Sequence, residues 1–259
     1  NLVPIMGLLR LQRHGHSPIA LVGGGTGMIG DPSGKSSERP LLSTSEIEGN
    51  VYAVREQLGR FLDFETNVNP ARVVNNANWL MDISAIEFMR DVGKHFTVNR
   101  MLTRESVKNR LKREDGISYT EFSYMLLQAY DYQVLHDRYG CKMQIGGSDQ
   151  WGNLLGGVDL IRRTRSVEAQ ALVYPLITTA TGEKFGKSVG GAPALDPEVT
   201  SPFKLYQFFL NTADADVVPY LKLFSFLTRD EIAEISTATE ERPKEREGQR
   251  RLAMEVTEL

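Results

Sequence analysis

The stretch Gln144-Ile145-Gly146-Gly147-Ser148-Asp149-Gln150-Trp151-Gly152-Asn153 sets two glycines beside an acceptor, Asp149, and a mixed donor and acceptor, Gln150. Glycines let a backbone come close to a ligand, and a carboxylate next to a carboxamide reads hydroxyls and amines. A second polar set, Tyr124, Gln128 and Asp131, has the spacing i, i+4, i+7 and therefore lies on one face of a helix. A core-facing stripe should be apolar. Because Phe122, Met125, Leu126, Leu127, Ala129, Tyr130 and Leu135 surround this line, its polar face is expected to turn toward a ligand rather than toward solvent. Two glycine-rich loops carry cations: residues 30–39 with Asp31, Lys35 and Arg39, and residues 181–188 with Lys184 and Lys187. Both miss the P-loop spacing, since three residues rather than four separate Gly30 from Gly34 and Gly182 from Gly186. Cations beyond strand ends suit a polyanion or a charged leaving group; the plain alternative is a solvated loop.

These groups need a frame. Leu2, Val3, Ile5, Met6, Leu8, Leu9 and Leu11 predict a buried helix, and residues 18–22 a buried strand. The next run, Gly25-Thr26-Gly27-Met28-Ile29-Gly30, satisfies the dinucleotide fingerprint G-x-G-x-x-G. The fingerprint also requires a helix to continue from the glycines, and Pro32 and Gly34 stand where its first turns belong. Ser43 with Glu46, Ser118 with Glu121 and Thr228 with Glu231 predict capping boxes at three helix starts. The first of these helices should turn Ile47, Val51, Val54, Leu58, Phe61 and Leu62 to the core; the second should run to about Tyr139. Residues 72–75, 141–145 and 171–179 read as strands, the last two buried, with Pro175 interrupting the third and the middle one followed by a helix carrying Leu154, Leu155, Val158, Leu160 and Ile161. The decapeptide is thus a strand-to-helix turn, the place where open parallel sheets gather ligands. Residues 81–113 alternate apolar stripes with charges, as in a helical insertion or a self-association surface. Within them, His95 has no partner at a recognisable catalytic spacing and reads as structural. From Ser201 the pattern becomes close-packed and helical, whereas residues 240–251 show little core signal.

The 259 residues, 41% of them hydrophobic, suffice for a substantial core, and the single cysteine, Cys141, excludes an internal disulfide and fits a reducing compartment. No apolar run approaches the roughly 20 residues of a membrane span. A formal net charge of −3 argues against wholesale nucleic-acid binding, leaving Arg162, Arg163 and Arg165 as local candidate phosphate contacts.

Taken together, residues 146–153, the Lys-Phe-Gly-Lys-Ser of residues 184–188, the Gly-Asp-Pro-Ser-Gly-Lys of residues 30–35 and the Tyr124, Gln128, Asp131 line closely resemble bacterial-type tyrosyl-tRNA synthetase. The resemblance runs along nearly the whole chain in the right order, and residues 184–188 look like the KMSKS signature of class I synthetases. It implies an α/β class I Rossmann-like parallel sheet with flanking helices over residues 1–198, with a helical insertion at about 81–119. The start of a helical anticodon-region domain would follow over residues 199–259. The activity implied is a tyrosine–tRNA ligase: L-tyrosine is activated with ATP and Mg²⁺ to tyrosyl adenylate and pyrophosphate, then transferred to the 3′ end of its tRNA. No protein metal ligands are expected. By resemblance, Asp131 would bond the substrate phenol, Tyr124, Gln128 and Asp31 its α-ammonium, and Gln150 the region of the reacting carboxylate. Gly147 and Asp149 would lie at the ribose, while Lys35, Arg39, Lys184, Lys187 and Ser188 would close on the pyrophosphate. A cytoplasmic homodimer is implied, with residues 81–119 as the candidate interface. Asn1 looks like the end of a variant HIGH motif, so a first strand before it and a tRNA-binding module after Leu259 are expected outside these residues.

The residues support such roles independently. Attack of a carboxylate on an α-phosphate needs no protein nucleophile, and the sequence offers cationic loops without a Ser-His-Asp or Cys-His set. Two rivals remain at this stage: a nicotinamide-dependent oxidoreductase built on residues 25–30, and a non-catalytic relative that binds RNA or regulates.

Overall fold

The computed structural model describes residues 2–29, 43–112, 116–178 and 193–259. In chain order these give α1 (Leu2–Arg13), β1 (Ile19–Val22), α2 (Gly24–Ile29), α3 (Thr44–Leu58), β2 (Arg72–Asn75), α4 (Ala77–Leu80), α5 (Ala85–Asp91), α6 (Val98–Leu102) and α7 (Glu105–Leu111). Then come α8 (Tyr119–Tyr139), β3 (Met143–Gly147), α9 (Trp151–Arg165), β4 (Gln170–Tyr174), α10 (Pro202–Leu210), α11 (Asp214–Phe224), α12 (Arg229–Glu241) and α13 (Glu247–Thr257). The architecture is mixed α/β with small parallel sheets and a following all-helical region, as expected. Strands β3 and β4 pair in parallel, with Met143 opposite Gln170 and Gly147 opposite Tyr174. Strands β1 and β2 form the other two-stranded sheet. The bonds flanking it, Arg72 N–H to Pro18 carbonyl and Asn76 N–H to Val22 carbonyl, advance in the same direction along both strands, so this pair is also parallel.

The chain forms two compact units. One consists of residues 1–19, 55–72 and 176–259. Here α1 buries Leu2, Ile5, Met6, Leu9 and Gln12. The Gln12 carboxamide donates to the carbonyls of Asp63 (2.6 Å) and Asn69 (3.2 Å) and accepts from Asp63 N–H (3.0 Å), which pins that loop to the helix. Arg10 donates to the carbonyls of Lys222, Leu223 and Ser225 at the end of α11, where backbone acceptors lack intrahelical donors. The boundary helices follow their signals: Thr228 and Glu231 make a complete capping box at α12. The sequence missed α13, because charges dominate residues 240–251. Its Gly248, Gln249, Leu252, Ala253 and Val256 are buried, and at Gly248 a Cβ would come within 2.5 Å of Thr239 Oγ1 and 2.8 Å of Val217 Cγ1. A close approach at Gly248 together with the spaced apolar residues Leu252 and Val256, rather than a continuous hydrophobic run, makes that contact.

The other unit, residues 20–54 and 73–175, holds both polar sets singled out in the sequence. Its α8 runs Tyr119–Tyr139 as predicted and stops at Gly140 in the left-handed conformation, φ 66°. The capping box at its start is half made. Ser118 accepts from Glu121 N–H (3.1 Å), but the Glu121 carboxylate turns to Arg110 of α7 instead (2.5 and 2.8 Å). Helix α7 and its neighbours α5 and α6 make this stretch, residues 85–111, largely helical; Val92, Met101 and Val107 pack on Met125, Leu126 and Ala129 of α8 and on Leu160 of α9. Two further readings need correction. Strand β3 begins at Met143 rather than Cys141 and is half-buried throughout. Val54 of α3 is exposed, and the helix stops at Leu58, so Phe61 and Leu62 follow it in turns rather than extending its stripe.

Helices α8 and α9 meet at Gly157, where a Cβ would lie 2.7 Å from Cδ1 and 2.9 Å from Cβ of Tyr132. Tyr132 is fully buried, and its hydroxyl donates to the Gln170 carbonyl of β4 (2.8 Å). Gly157→Ala therefore overpacks this crossing. Its unfolding free energy in urea should fall by about 1–3 kcal/mol; an unchanged midpoint and slope would contradict this packing.

Candidate functional site

Asp131 lies on α8 with 3% of its surface exposed. Its Oδ1 accepts from Trp79 Nε1 (2.7 Å) and its Oδ2 from Asn76 Nδ2 (3.0 Å). Both donors are neutral. Burial pushes the Asp131 carboxyl up to about 6, against the lowering effect of the Asn76 and Trp79 hydrogen bonds. Trp79 and Asn76 are themselves 2% and 1% exposed, so this carboxylate is held from one side by an almost dry pair of donors.

The donors are built at the end of β2. Asn76 follows the strand, and α4 then places Trp79 one turn later. Asn76 Oδ1 accepts from Gly25 N–H (2.8 Å), and its Nδ2 also donates to Thr26 Oγ1 (3.3 Å); Asn75 Oδ1 accepts from Gly24 N–H (3.1 Å). The glycine run is accordingly helical in itself, as α2, where the sequence argued only that no helix could continue beyond it. Its first amide groups are occupied by two asparagine side chains. At Gly24 a Cβ would stand 2.2 Å from Asn75 Oδ1, so these glycines are needed for the approach of the asparagines. The dinucleotide-type rival loses its phosphate-binding amides by this arrangement.

Tyr124 and Gln128 share the α8 face with Asp131 and are half-buried. At the decapeptide, β3 ends in Gly147, a tight turn covers Ser148–Gln150, and α9 begins at Trp151. Gly147 is in ordinary extended backbone (φ −71°, ψ 159°), a conformation any residue adopts. Gln150 Nε2 donates to Asp149 Oδ2 (3.2 Å). Asp31, Lys35, Arg39, Lys184, Lys187 and Ser188 lie outside the described residues.

The sequence reading did not assign Asn76 and Trp79 to the carboxylate. The signal was present: two polar-tipped side chains three apart, directly after a strand whose neighbours carry ligand chemistry. The basic cluster changes its meaning. Arg162 pairs with Asp159 (2.9 Å) and Arg165 with Asp137 (2.6 Å), while Asp159 also takes Arg100 (2.7 Å). A small cavity beside it is lined by His95, Arg100, Arg104, Asp159 and Arg163. Burial, then the nearby Lys94 and Arg163, lower the His95 pKa, and its carbonyl accepts from Arg163, in keeping with a structural role. Among the described residues no group of three or more His, Cys, Asp or Glu side chains is arranged to hold a metal ion, and no helix is long and apolar enough to cross a membrane.

The family model of class I tRNA synthetases (W and Y) matches residues 1–259, and the chain belongs to that family. Within it the likeness is to the bacterial-type tyrosyl enzymes. The chain is 55% identical over 259 residues to tyrosine–tRNA ligase of Roseiflexus castenholzii, covering 100% of this chain and 61% of that one. It is 54% identical over 261 residues to tyrosine–tRNA ligase of Bacillus caldotenax, covering 100% of this chain and 62% of that one. A C-terminally truncated Aspergillus nidulans mitochondrial tyrosyl-tRNA synthetase superposes with a TM-score of 0.85 at 31% identity, covering 99% of this chain and 76% of that structure. The chain thus spans about three fifths of the length of the curated relatives it matches.

The raised Asp131 pKa has a stability consequence. The folded chain holds this proton more tightly than the unfolded chain, whose carboxyl titrates near 3.8, so the group's contribution is greatest below about pH 4 and is lost as pH rises through about 6. Measured by urea unfolding, the stability of the wild type relative to Asp131→Asn should fall by on the order of 3 kcal/mol between those limits and then level off. A difference independent of pH would contradict the assigned environment.

Proposed function

We propose that this chain is the tyrosine-activating part of a tyrosine–tRNA ligase, forming tyrosyl adenylate from L-tyrosine and ATP and passing tyrosine to the 3′ end of tRNA. The observation that carries the reading is the buried Asp131 carboxylate, fixed by two neutral donors and ionisable near neutral pH. Such a group accepts a phenolic O–H on a remaining lone pair, a bond that phenylalanine cannot make; tyrosyl enzymes are the standard illustration of such discrimination. Tyr124 and Gln128, in line with Asp131, would receive the α-ammonium together with Asp31. Gln150 would face the reacting carboxylate, and Gly147 with Asp149 the ribose. Lys35, Arg39, Lys184, Lys187 and Ser188 would stabilise the departing pyrophosphate, so that catalysis rests on positioning and charge stabilisation. Mg²⁺ would arrive with ATP as part of the substrate.

We further propose a cytoplasmic homodimer formed through residues 81–119. Ile86, Val98 and Tyr119 support this, being 72%, 57% and 77% exposed, while Val92, Met101 and Val107 of the same stretch pack on α8 and α9. Light scattering at micromolar concentration should give twice the chain mass, and a single chain mass would count against the dimer.

The activity is tested by tyrosine-dependent exchange of labelled pyrophosphate into ATP, on the longest soluble form containing these residues. Exchange should occur with tyrosine and not with phenylalanine, and Asp131→Ala should lower kcat/KM for tyrosine by on the order of a hundredfold. Equal exchange in the variant, or exchange supported by phenylalanine, would reject the assignment of the pocket.

A further inference from the structure

Asn75, the last residue of β2, holds two helix starts with one atom. Its Oδ1 accepts from the N–H of Ala77, the first residue of α4 (2.9 Å), and from the N–H of Gly24, the first residue of α2 (3.1 Å). The first amide groups of a helix have no intrahelical acceptor, so each of these donors needs an outside partner. Main-chain N–H groups only donate, and an amide oxygen offers two lone pairs. The Asn75 carboxamide therefore has a single sense, because its amino end would set donor against donor at both places. Asn76 stands at the N-cap of α4 but gives that helix no side-chain cap. Its oxygen is taken by Gly25 N–H, and its amino group by Thr26 and Asp131.

A helix of four residues, as α4 is, does not hold its shape alone. Its start is fixed by Asn75 and its flank by α2: at Gly25 a Cβ would lie 3.2 Å from Ala77 Cα and 3.1 Å from Leu80 Cβ. Helix α4 carries Trp79 to Asp131 Oδ1, and α2 supplies the Gly25 N–H that orients Asn76 toward Asp131 Oδ2. We infer that Asn75 is a positioning residue: by clamping the starts of α2 and α4 to the end of β2, it sets both donors that grip Asp131. It acts through those donors, since its own oxygen is occupied by the two main-chain amides. The geometry stands on the structure alone, whereas its effect on tyrosine binding rests on the proposed activity. The sequence gave Asn75 no role beyond ending a strand.

Asn75→Ala removes the shared acceptor, and Asn75→Asp keeps one in the same place. The chain has two tryptophans, Trp79 and Trp151, so in a sample labelled at the indole nitrogens the Trp79 N–H resonance is the one that survives in Trp151→Phe. In the wild type it should follow the titration of Asp131. In Asn75→Ala it should lose most of that response, and Asp131 should titrate higher than in the wild type, because donors that favour the ionised carboxylate are loosened. In pyrophosphate exchange, KM for tyrosine should rise about tenfold in Asn75→Ala with kcat within about twofold, and Asn75→Asp should return KM to within about threefold of the wild type. A merely structural role would lower the stability of Asn75→Ala and leave the indole response and KM unchanged, which would overturn the inference. An indole response lost equally in Asn75→Asp would also overturn it. Should Asn75→Ala fail to fold, hydrogen exchange in the wild type decides: the Gly24 and Ala77 amides should be protected, and exchange of either at the rate of an unstructured chain would refute the clamp. If the wild type shows no pyrophosphate exchange at all, the proposed activity fails, and the indole and carboxyl readouts still decide the role of Asn75.

Discussion

A buried carboxylate that, among the described residues, is held by neutral donors is the constraint from which much of the sheet-bearing unit follows. Asp131 can remain there only because both oxygens have donors, and each donor demands a particular piece of backbone. Trp79 must sit on a helical turn right after β2, and Asn76 must sit at the strand end itself. Asn76 is then tied to Gly25 and Thr26, which requires the glycine run to coil tightly against the two asparagines. A strand end, a short helix and a long helix are thereby joined through one side chain. The raised carboxyl pKa is what this arrangement costs, and a substrate hydroxyl that donates to Asp131 would relieve it.

The same unit uses close packing to hold α8 in place. Gly157 admits the ring of Tyr132, the residue after Asp131, and the Tyr132 hydroxyl reaches the backbone of β4. Burial drives the Tyr132 phenol well above its usual range, in keeping with a neutral group locked into the core. From the other side, Arg110 takes the Glu121 carboxylate away from its capping box and ties the insertion to the first turn of α8. Helix ends and crossings are thus fixed by interactions distant in sequence, while the polar line of Tyr124, Gln128 and Asp131 is left to face its own side of the helix.

How much of this could be read beforehand depended on the range of the interaction. The start of α12 was legible because Thr228 and Glu231 satisfy each other locally, and the end of α8 because charge and Gly140 close it. The Tyr124, Gln128, Asp131 line was legible as an offence against helical patterning. The missing parts had long-range causes. Glu121 looked like a capping partner until Arg110 competed for it, and α13 packs through Gly248, whose value lies in what it approaches. The glycine run matched a nucleotide motif although its amides serve Asn75 and Asn76, fifty-one residues along the chain.

The central claim is that Asp131 is a buried, neutral-donor-bound carboxylate kept for a phenol, and its own titration tests it most directly. In a sample labelled at aspartate carboxyl carbons, the resonance lost in Asp131→Asn should titrate with a midpoint near 6. Saturating tyrosine should lower that midpoint, because a phenolic O–H bonded to the carboxylate favours the ionised form, whereas phenylalanine should leave it in place. A midpoint in the ordinary carboxyl range, or the same response to both amino acids, would contradict the account.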